Sequence, residues 1–301
     1  MAGITLVEAS KLAANNGDVL SASIGMKFAQ ESQILGVLPF ETIIGTAYQY
    51  NREDTLPGVG FRGVNELYTP DAGIINPLTE ALRIVGGNLD VDPFIIAGQG
   101  QSARTMHTML KVKAAALLWT KKFISGDSTS DPREFDGLQT RLTGNQNIAN
   151  GATALSLDKL RQAIDQTDNP THIIMSKAMR RRLTAAASNT SVGGFVTYDT
   201  GSFGRRVTFF DDLPILELDR DNLNTDILPF TEASSTTSIY VVSMAEGGVF
   251  GIQSNNLTAE DMGRTDDGFY RTRVDWYNSI VAMNGRAATR LSGITDAAVT
   301  A

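Results

Sequence analysis

Cysteine is absent from the 301-residue chain, which removes disulfides, thiolate nucleophiles and cysteine-bound zinc or iron–sulfur centres from consideration. Histidine occurs only as His107 and His172, so any Ser-His-Asp relay would have to use one of these two. Basic charge is in short supply as well. The 26 Lys and Arg face 33 Asp and Glu, a formal charge of −7 that gives no global attraction to nucleic acid or to an anionic membrane. Nor is there a long apolar run: the most apolar helical stretch, Ala114 to Trp119, is far too short to span a bilayer, and the start MAGITLVEAS lacks the basic-then-apolar order of a secretory signal. These features predict a cytoplasmic, unprocessed product. What is present is 42% hydrophobic residues, enough for a sizeable core in one large or two moderate domains.

The stretch LPGVGFRGVNE places Gly58, Gly60 and Gly63 in the G-x-G-x-x-G spacing of a dinucleotide loop. Such a loop must follow a buried strand and open a long helix. Here the upstream YQYNREDTLP is polar, and Pro70, Asp71 and Gly73 follow too soon for a helix. The stretch therefore reads as the glycine-rich turn of an exposed hairpin.

The first forty residues predict an arm and one helix carrying Met26, Phe28, Ala29, Ile34 and Leu35, stopped by Gly36 and Pro39. From Glu41 to Gly73 the period is two. Thr46, Tyr48 and Tyr50 share one strand face, and Val64 to Tyr68 forms the return strand. With few apolar residues of its own, this ribbon is expected to lie on another surface, such as that of another subunit. Gly98 to Ser125 predicts a helix about 40 Å long, with Met106, Met109, Leu110, Leu117 and Ile124 on the apolar side and Arg104, Lys111 and Lys122 on a solvated one. Next comes the turn-rich FISGDSTSDPREFDGLQTRLTGNQ.

An α+β pattern follows. Ser156 caps a helix bearing Leu157, Leu160 and Ile164; His172 to Met175 is a buried strand; Ser176 caps a helix with Met179 and Leu183. Further strands are expected at Val207 to Phe210, Ile215 to Leu218, Ser238 to Met244 and Val249 to Gln253. Tyr270, Val274, Trp276 and Ile280 alternate with polar residues in a last strand, and Asn284-Gly285 signals a hairpin.

No catalytic, cofactor-binding or metal site is expected. Gly126-Asp127-Ser128 has the local form of a hydrolase nucleophile block, but no late histidine accompanies it. Asp219 and Asp221 could open a calcium loop, yet Leu223, Asn224 and Phe230 stand where an oxygen ligand, a glycine and a glutamate are required. The pairs Asp211-Asp212 and Asp266-Asp267 read as solvated turns.

The order of LGVLPF, AYQYNREDTLPGVGFRGVNE, FISGD with FDGL, HIIMSKAMRRRL, VTFFDDLPILELD, GGVFGIQ and VDWYNSIVAMNGRAATRLSGI resembles the major capsid protein of tailed bacteriophages, with the Hong Kong 97-type fold. The resemblance covers nearly the whole chain. It implies an N-terminal arm and helix over 1–40, an extended-loop hairpin over 41–73 and a peripheral domain with a spine helix over 74–127. An axial domain would occupy 128–265, and the peripheral domain's C-terminal strands 266–301. The extended loop would lie over a neighbouring subunit, with Tyr48, Tyr50 and Phe61 as aromatic contacts. Arg52, Glu53, Asp54 and Arg62 would offer charge pairs across that boundary, and Gly58, Gly60 and Gly63 a tight tip.

The resemblance further implies pentamers and hexamers forming an icosahedral shell around double-stranded DNA, in the virion, without sequence-specific binding and without a membrane. A separate scaffolding protein, a portal and a decoration protein would be the partners. Some relatives crosslink a lysine of this loop to a neighbour, but Glu41 to Gly73 contains no lysine. The alternatives are an encapsulin-type nanocompartment shell and an α+β enzyme.

Overall fold

The computed structural model describes residues 3–15, 19–55, 57–71, 73–187, 196–200 and 206–300, with backbone alone at 19–22, 53–55, 74, 198–200 and 206. A short strand β1 (Ile4–Thr5) leads into helices α1 (Leu6–Asn15), α2 (Val19–Glu31) and α3 (Gln33–Val37), then β2 (Pro39–Thr42). A ribbon of β3 (Ala47–Thr55) and β4 (Ile74–Ala81) follows, then β5 (Arg83–Val91), α4 (Pro93–Gln99) and the spine helix α5 (Gln101–Ser125). Beyond it lie α6 (Leu138–Arg141), β6 (Asn147–Thr153), α7 (Leu157–Gln166), β7 (His172–Ser176), α8 (Lys177–Ala187), β8 (Val196–Thr200), β9 (Arg206–Phe210) and β10 (Leu213–Leu218). The chain closes with β11 (Thr236–Val242), β12 (Val249–Gln253), β13 (Thr258–Arg264), β14 (Tyr270–Ala282) and β15 (Ala288–Thr295).

The strands build two sheets besides the ribbon. A six-stranded sheet runs β1-β2-β12-β14-β13 with β5 on the other side of β14, and a seven-stranded sheet runs β6-β15-β11-β7-β10-β9-β8. Alternation in β7 and β10 sends Ile174 and Leu216 to one face and Ile173, Met175 and Ile215 to the other, and both faces are buried. One face meets a core that includes Leu35, Trp119 and Phe123; the other meets α7 and α8 through Leu157, Leu160, Met179 and Leu183. Where the core is thickest, Trp119 and Trp276 lie 5.7 Å apart between Phe28, Phe40 and Phe123. Their indole N–H groups donate to Asn278 and Gln253, at 2.7 and 3.0 Å, so two large aromatics are buried with no orphaned donor.

Several local expectations hold. Ser156 accepts from the Lys159 N–H and Ser176 from the Met179 N–H, and the strand Val249–Gln253 stands as read. Others are corrected. The first forty residues form three helices, not an arm and one helix. The signal was Thr5-Leu6-Val7-Glu8, a capping box: the Glu8 carboxylate accepts the Thr5 N–H at 3.0 Å and the Thr5 hydroxyl accepts the Glu8 N–H at 3.3 Å.

The return strand of the ribbon is Ile74–Ala81, not Val64 to Tyr68. Asn65 takes φ 67, which breaks an extended run there. Pro77 weakens the strand signal in β4, yet is tolerated in a two-stranded ribbon.

The spine helix buries Val112, Ala115, Ala116, Trp119, Thr120, Phe123 and, as expected, Ile124, with Met109 packed against the core, while Met106 and Leu110 are exposed. Small alanines face the core because sheet and helix approach closely there, so the large aliphatics mark the buried side only in part. Arg104 and Lys122 are not on a free basic face; they pair with Asp261 and Glu134.

The Asn284-Gly285 turn forms, with the Asn284 side chain accepting from Arg286 N at 3.0 Å, but it joins no hairpin. It carries the chain from β14 in the six-stranded sheet to β15, which pairs with β11 and β6 in the other. The C-terminal strands over 266–301 are thus divided between two sheets.

Candidate intersubunit surface

The ribbon is fixed at its base and bare at its tip. At the base Tyr50 is buried against Phe250, Ile252 and Val281, with Tyr48 and Leu78 packed beside it. Tyr48 stacks on Tyr50 at 6.1 Å and meets Phe250 edge-on at 6.1 Å. Burial, then the Glu80 carboxylate, pushes the Tyr50 hydroxyl above the usual phenol range.

Arg141, at the end of α6, forks onto Glu80 of β4 at 2.6 and 2.9 Å, and also donates to the carbonyls of Asp136 and Ile280 at 2.7 and 3.3 Å. Burial disfavours its charge, but the Glu80 carboxylate outweighs that and holds the guanidinium above its ordinary pKa. One side chain thereby ties the ribbon, the α6 turn and β14 together.

Residues 57–71 form the tip. Val59, Phe61, Val64 and Leu67 are almost fully exposed, at 96, 109, 93 and 95%. Few contacts hold the loop. The Gly58 N–H donates to Asp71 at 2.7 Å, the Gly63 N–H to Glu66 at 2.6 Å, and Arg62 donates to the Glu66 carbonyl at 2.9 Å while lying 5.1 Å over the Tyr68 ring. Four large apolar side chains in water on one loop form the kind of exposed patch that marks an interaction site.

The expected contact residues separate accordingly. Phe61 and Arg62 stand at the exposed tip. Tyr50, and with it half-buried Tyr48, serves instead as an anchor inside its own chain, because both rings face the apolar strand β12. Arg52 is half-buried on β3, and the side chains of Glu53 and Asp54 lie outside the described residues. A hydrogen-bonded turn closes from Gly63 to Glu66, with the positive φ at Asn65; none of Gly58, Gly60 and Gly63 has positive φ, and a Cβ at Gly60 would meet nothing within 4 Å. Glycines that matter sterically lie elsewhere, among them one at the exit of the spine helix: a Cβ on Gly126 would sit 2.3 Å from the Phe135 carbonyl oxygen.

The residues weighed for chemistry are engaged structurally. Asp127 accepts from Thr129 N and the Ser130 hydroxyl, and Ser128 N donates to Asp136. Asp221 caps its own loop through Leu223 N and Thr225 N, and receives Lys121 at 2.6 Å. Burial lowers the pKa of His172 to about 4, and its Nδ1 lies 2.9 Å from the Thr171 hydroxyl. Among the described residues no three His, Asp or Glu gather as a metal site.

A helix-backed six-stranded sheet, a seven-stranded sheet covered on both faces and a projecting ribbon define an α+β architecture, the Hong Kong 97-type fold seen in phage capsids and encapsulins. Among the solved structures similar to it is the holo-SrpI encapsulin complex from Synechococcus elongatus PCC 7942, with 15% identity over 89% of each chain and a TM-score of 0.69. The capsid of the native GTA particle matches with 11% identity over 88% of this chain and 91% of that one, TM-score 0.64. A structure from Mycobacterium phage Bobi matches with 12% identity over 90% and 91%, TM-score 0.62. At these identities the likeness is one of fold. No family model matches the sequence, and no curated protein sequence does.

Proposed function

We propose that the chain is the major capsid protein of a tailed bacteriophage, which assembles through pentamers and hexamers into an icosahedral head shell around double-stranded DNA. Its place is the virion, and its role is structural and not enzymatic. The observation that carries this reading is the ribbon: a pinned base supporting a tip whose apolar residues have no packing partner among the described residues. The partners are further copies of the chain, a separate scaffolding protein and a portal, with a decoration protein optional. A protruding arm suits a shell of quasi-equivalent contacts, since it tolerates small changes of angle between subunits. The negative charge suits a wall that must not trap the genome it holds.

A second reading, an encapsulin-type compartment shell, is supported by the SrpI match over 89% of both chains. Expression with and without a scaffolding protein, followed by light scattering and electron microscopy, tests both. Capsomers or closed shells are expected, and a stable 32.4 kDa monomer under all assembly conditions overturns the shell. Nuclease-protected DNA inside the particles supports the phage head; a packaged protein without DNA supports the compartment.

A further inference from the structure

An asparagine followed by glycine is prone to lose its amide, because a glycine nitrogen, with no Cβ to shield it, can reach the preceding side-chain carbon. The step needs an unengaged main-chain N–H, a turn and water. Asn-Gly occurs three times in the chain, at Asn16, Asn150 and Asn284, and Asn16 lies outside the described residues. The other two are placed in opposite ways. Asn150 is 3% exposed on β6, and its Nδ2 is held by the carbonyls of Thr153 and Ala154 at 3.0 and 2.7 Å.

Asn284 and Gly285 are both exposed, in the turn that carries the chain from β14 to β15. A Cβ on Gly285 would meet nothing within 4 Å, and its N–H donates to no acceptor among the described residues. The neighbouring side chain is held in place. Its Oδ1 accepts the Arg286 N–H at 3.0 Å, and its Nδ2 donates to Asp168 Oδ2 at 2.9 Å. The first of these bonds draws charge from the amide carbon and stands where an oxyanion would form on attack.

We propose that Asn284 is a site of self-modification, converting to aspartate and isoaspartate in the folded chain. Gly285 N attacks Asn284 Cγ and gives up its proton to solvent; the Cγ–Nδ2 bond breaks, and the departing nitrogen takes a proton from solvent and leaves as ammonia. A five-membered succinimide results. Water opens it at either carbonyl, so the net change is one water consumed and one ammonia released, with no oxidant, cofactor or second protein.

The product loosens the crossing between the two sheets. In the unmodified turn the Asp168 N–H donates to the Arg286 carbonyl at 2.9 Å, and Arg286 donates to the carbonyls of Gln166 and Asp165 at 3.1 Å each. The crossing is thus clamped to the end of α7. A carboxylate at 284 sets a like charge against Asp168 where a donor stood, and isoaspartate adds a carbon to the main chain just before buried Ala287 and Ala288.

Peptide mass spectrometry of the native protein, incubated at mildly alkaline pH, tests the modification. The tryptic peptide 274–286 should gain one dalton and split into two chromatographic forms, while 142–159, with Asn150, keeps its mass; in urea both should convert. Gly285→Ala should slow the change at 284 at least tenfold. An unmodified 284 in native protein, after the urea sample has converted, overturns the proposal, as does equal conversion of Asn150. The consequence has its own measurement. Asn284→Asp should speed hydrogen exchange at the Asp168 and Ser243 amides, which donate to the Arg286 and Ala287 carbonyls, and adding Asp168→Asn should slow it again by restoring a donor opposite the carboxylate. Wild-type exchange in Asn284→Asp, or no recovery in the double variant, overturns the loosening.

Discussion

At the scale of single residues, Arg141 and Glu80 carry the most consequence per atom. The pair is largely enclosed, with 15% and 19% of the two side chains exposed, and it fixes a ribbon that has only a small apolar cluster of its own. Glu80→Gln leaves the guanidinium enclosed without its counter-charge; such losses in fully buried pairs cost about 3–5 kcal/mol, and the residual exposure here puts the effect at the lower end. The denaturation midpoint should fall accordingly, and hydrogen exchange should rise first in Ala47–Thr55; an unchanged midpoint would contradict the anchor. His172 gives a pH-dependent counterpart. Its folded pKa of about 4 lies below the ordinary 6.5, so between these values the unfolded chain binds a proton that the folded chain refuses. Stability therefore falls as pH drops from about 6.5 towards 4, by on the order of 3 kcal/mol. Asp221 and Asp261 also have depressed pKa values, Asp221 through Lys121 and its backbone donors against the cost of burial and Asp261 through Arg104. Their contributions are present above the ordinary carboxylate pKa of 3.8 and are lost as pH falls through the lowered folded values. A His172→Gln variant should flatten the slope between pH 6.5 and 4 and leave the acid limb in place, as urea melts at stepped pH will report.

At the scale of elements, two glycines that look alike in sequence should behave in opposite ways. Gly60 sits in open space with ordinary φ, so Gly60→Val should change subunit stability by less than about 0.5 kcal/mol, while impairing assembly if the tip presses its backbone against a neighbour. Gly126 is wedged against the Phe135 and Lys122 carbonyls; Gly126→Ala should cost about 3 kcal/mol through overpacking. Thermal melts beside particle counts separate the two effects. This contrast also marks what the sequence makes legible. Signals confined to a few residues, such as the Ser156 and Ser176 caps and the buried run Val249–Gln253, translate directly, because their causes are local. The turn at Asn284-Gly285 was legible as a turn, but the sheet that each flanking strand joins is decided by β11 and β12, more than thirty residues away. For the candidate surface, the existence of a protruding ribbon could be read from its lack of a core. The burial of Tyr50 could not, since it depends on Phe250 and Val281 arriving from the far end of the chain.

At the scale of the whole molecule, the distribution of lysine bears on how a shell of such subunits holds together. The chain has eight lysines, none between Glu41 and Gly73, so the one element that projects from the body brings no amine to a neighbour. Six of the eight are engaged within the subunit: Lys27 and Lys113 with Glu31, Lys121 with Asp221, Lys122 with Glu134, Lys177 with Asp219, and Lys159 with the Ala149 carbonyl. An isopeptide bond needs a lysine free to reach a carboxamide or carboxyl group of another copy, which leaves Lys11 and Lys111 as the available amines. Lys111 lies on the spine helix over Gly87, beneath the sheet face and not on the ribbon. Cohesion should then come from the covered tip and other noncovalent contacts between copies, which are reversible. Assembled particles boiled in detergent are expected to run as one band near 32.4 kDa, and guanidinium should dissociate them to subunits that reassemble on dilution. A ladder of oligomers surviving the detergent would refute noncovalent cohesion, and its loss in Lys11→Arg or Lys111→Arg would identify the amine responsible.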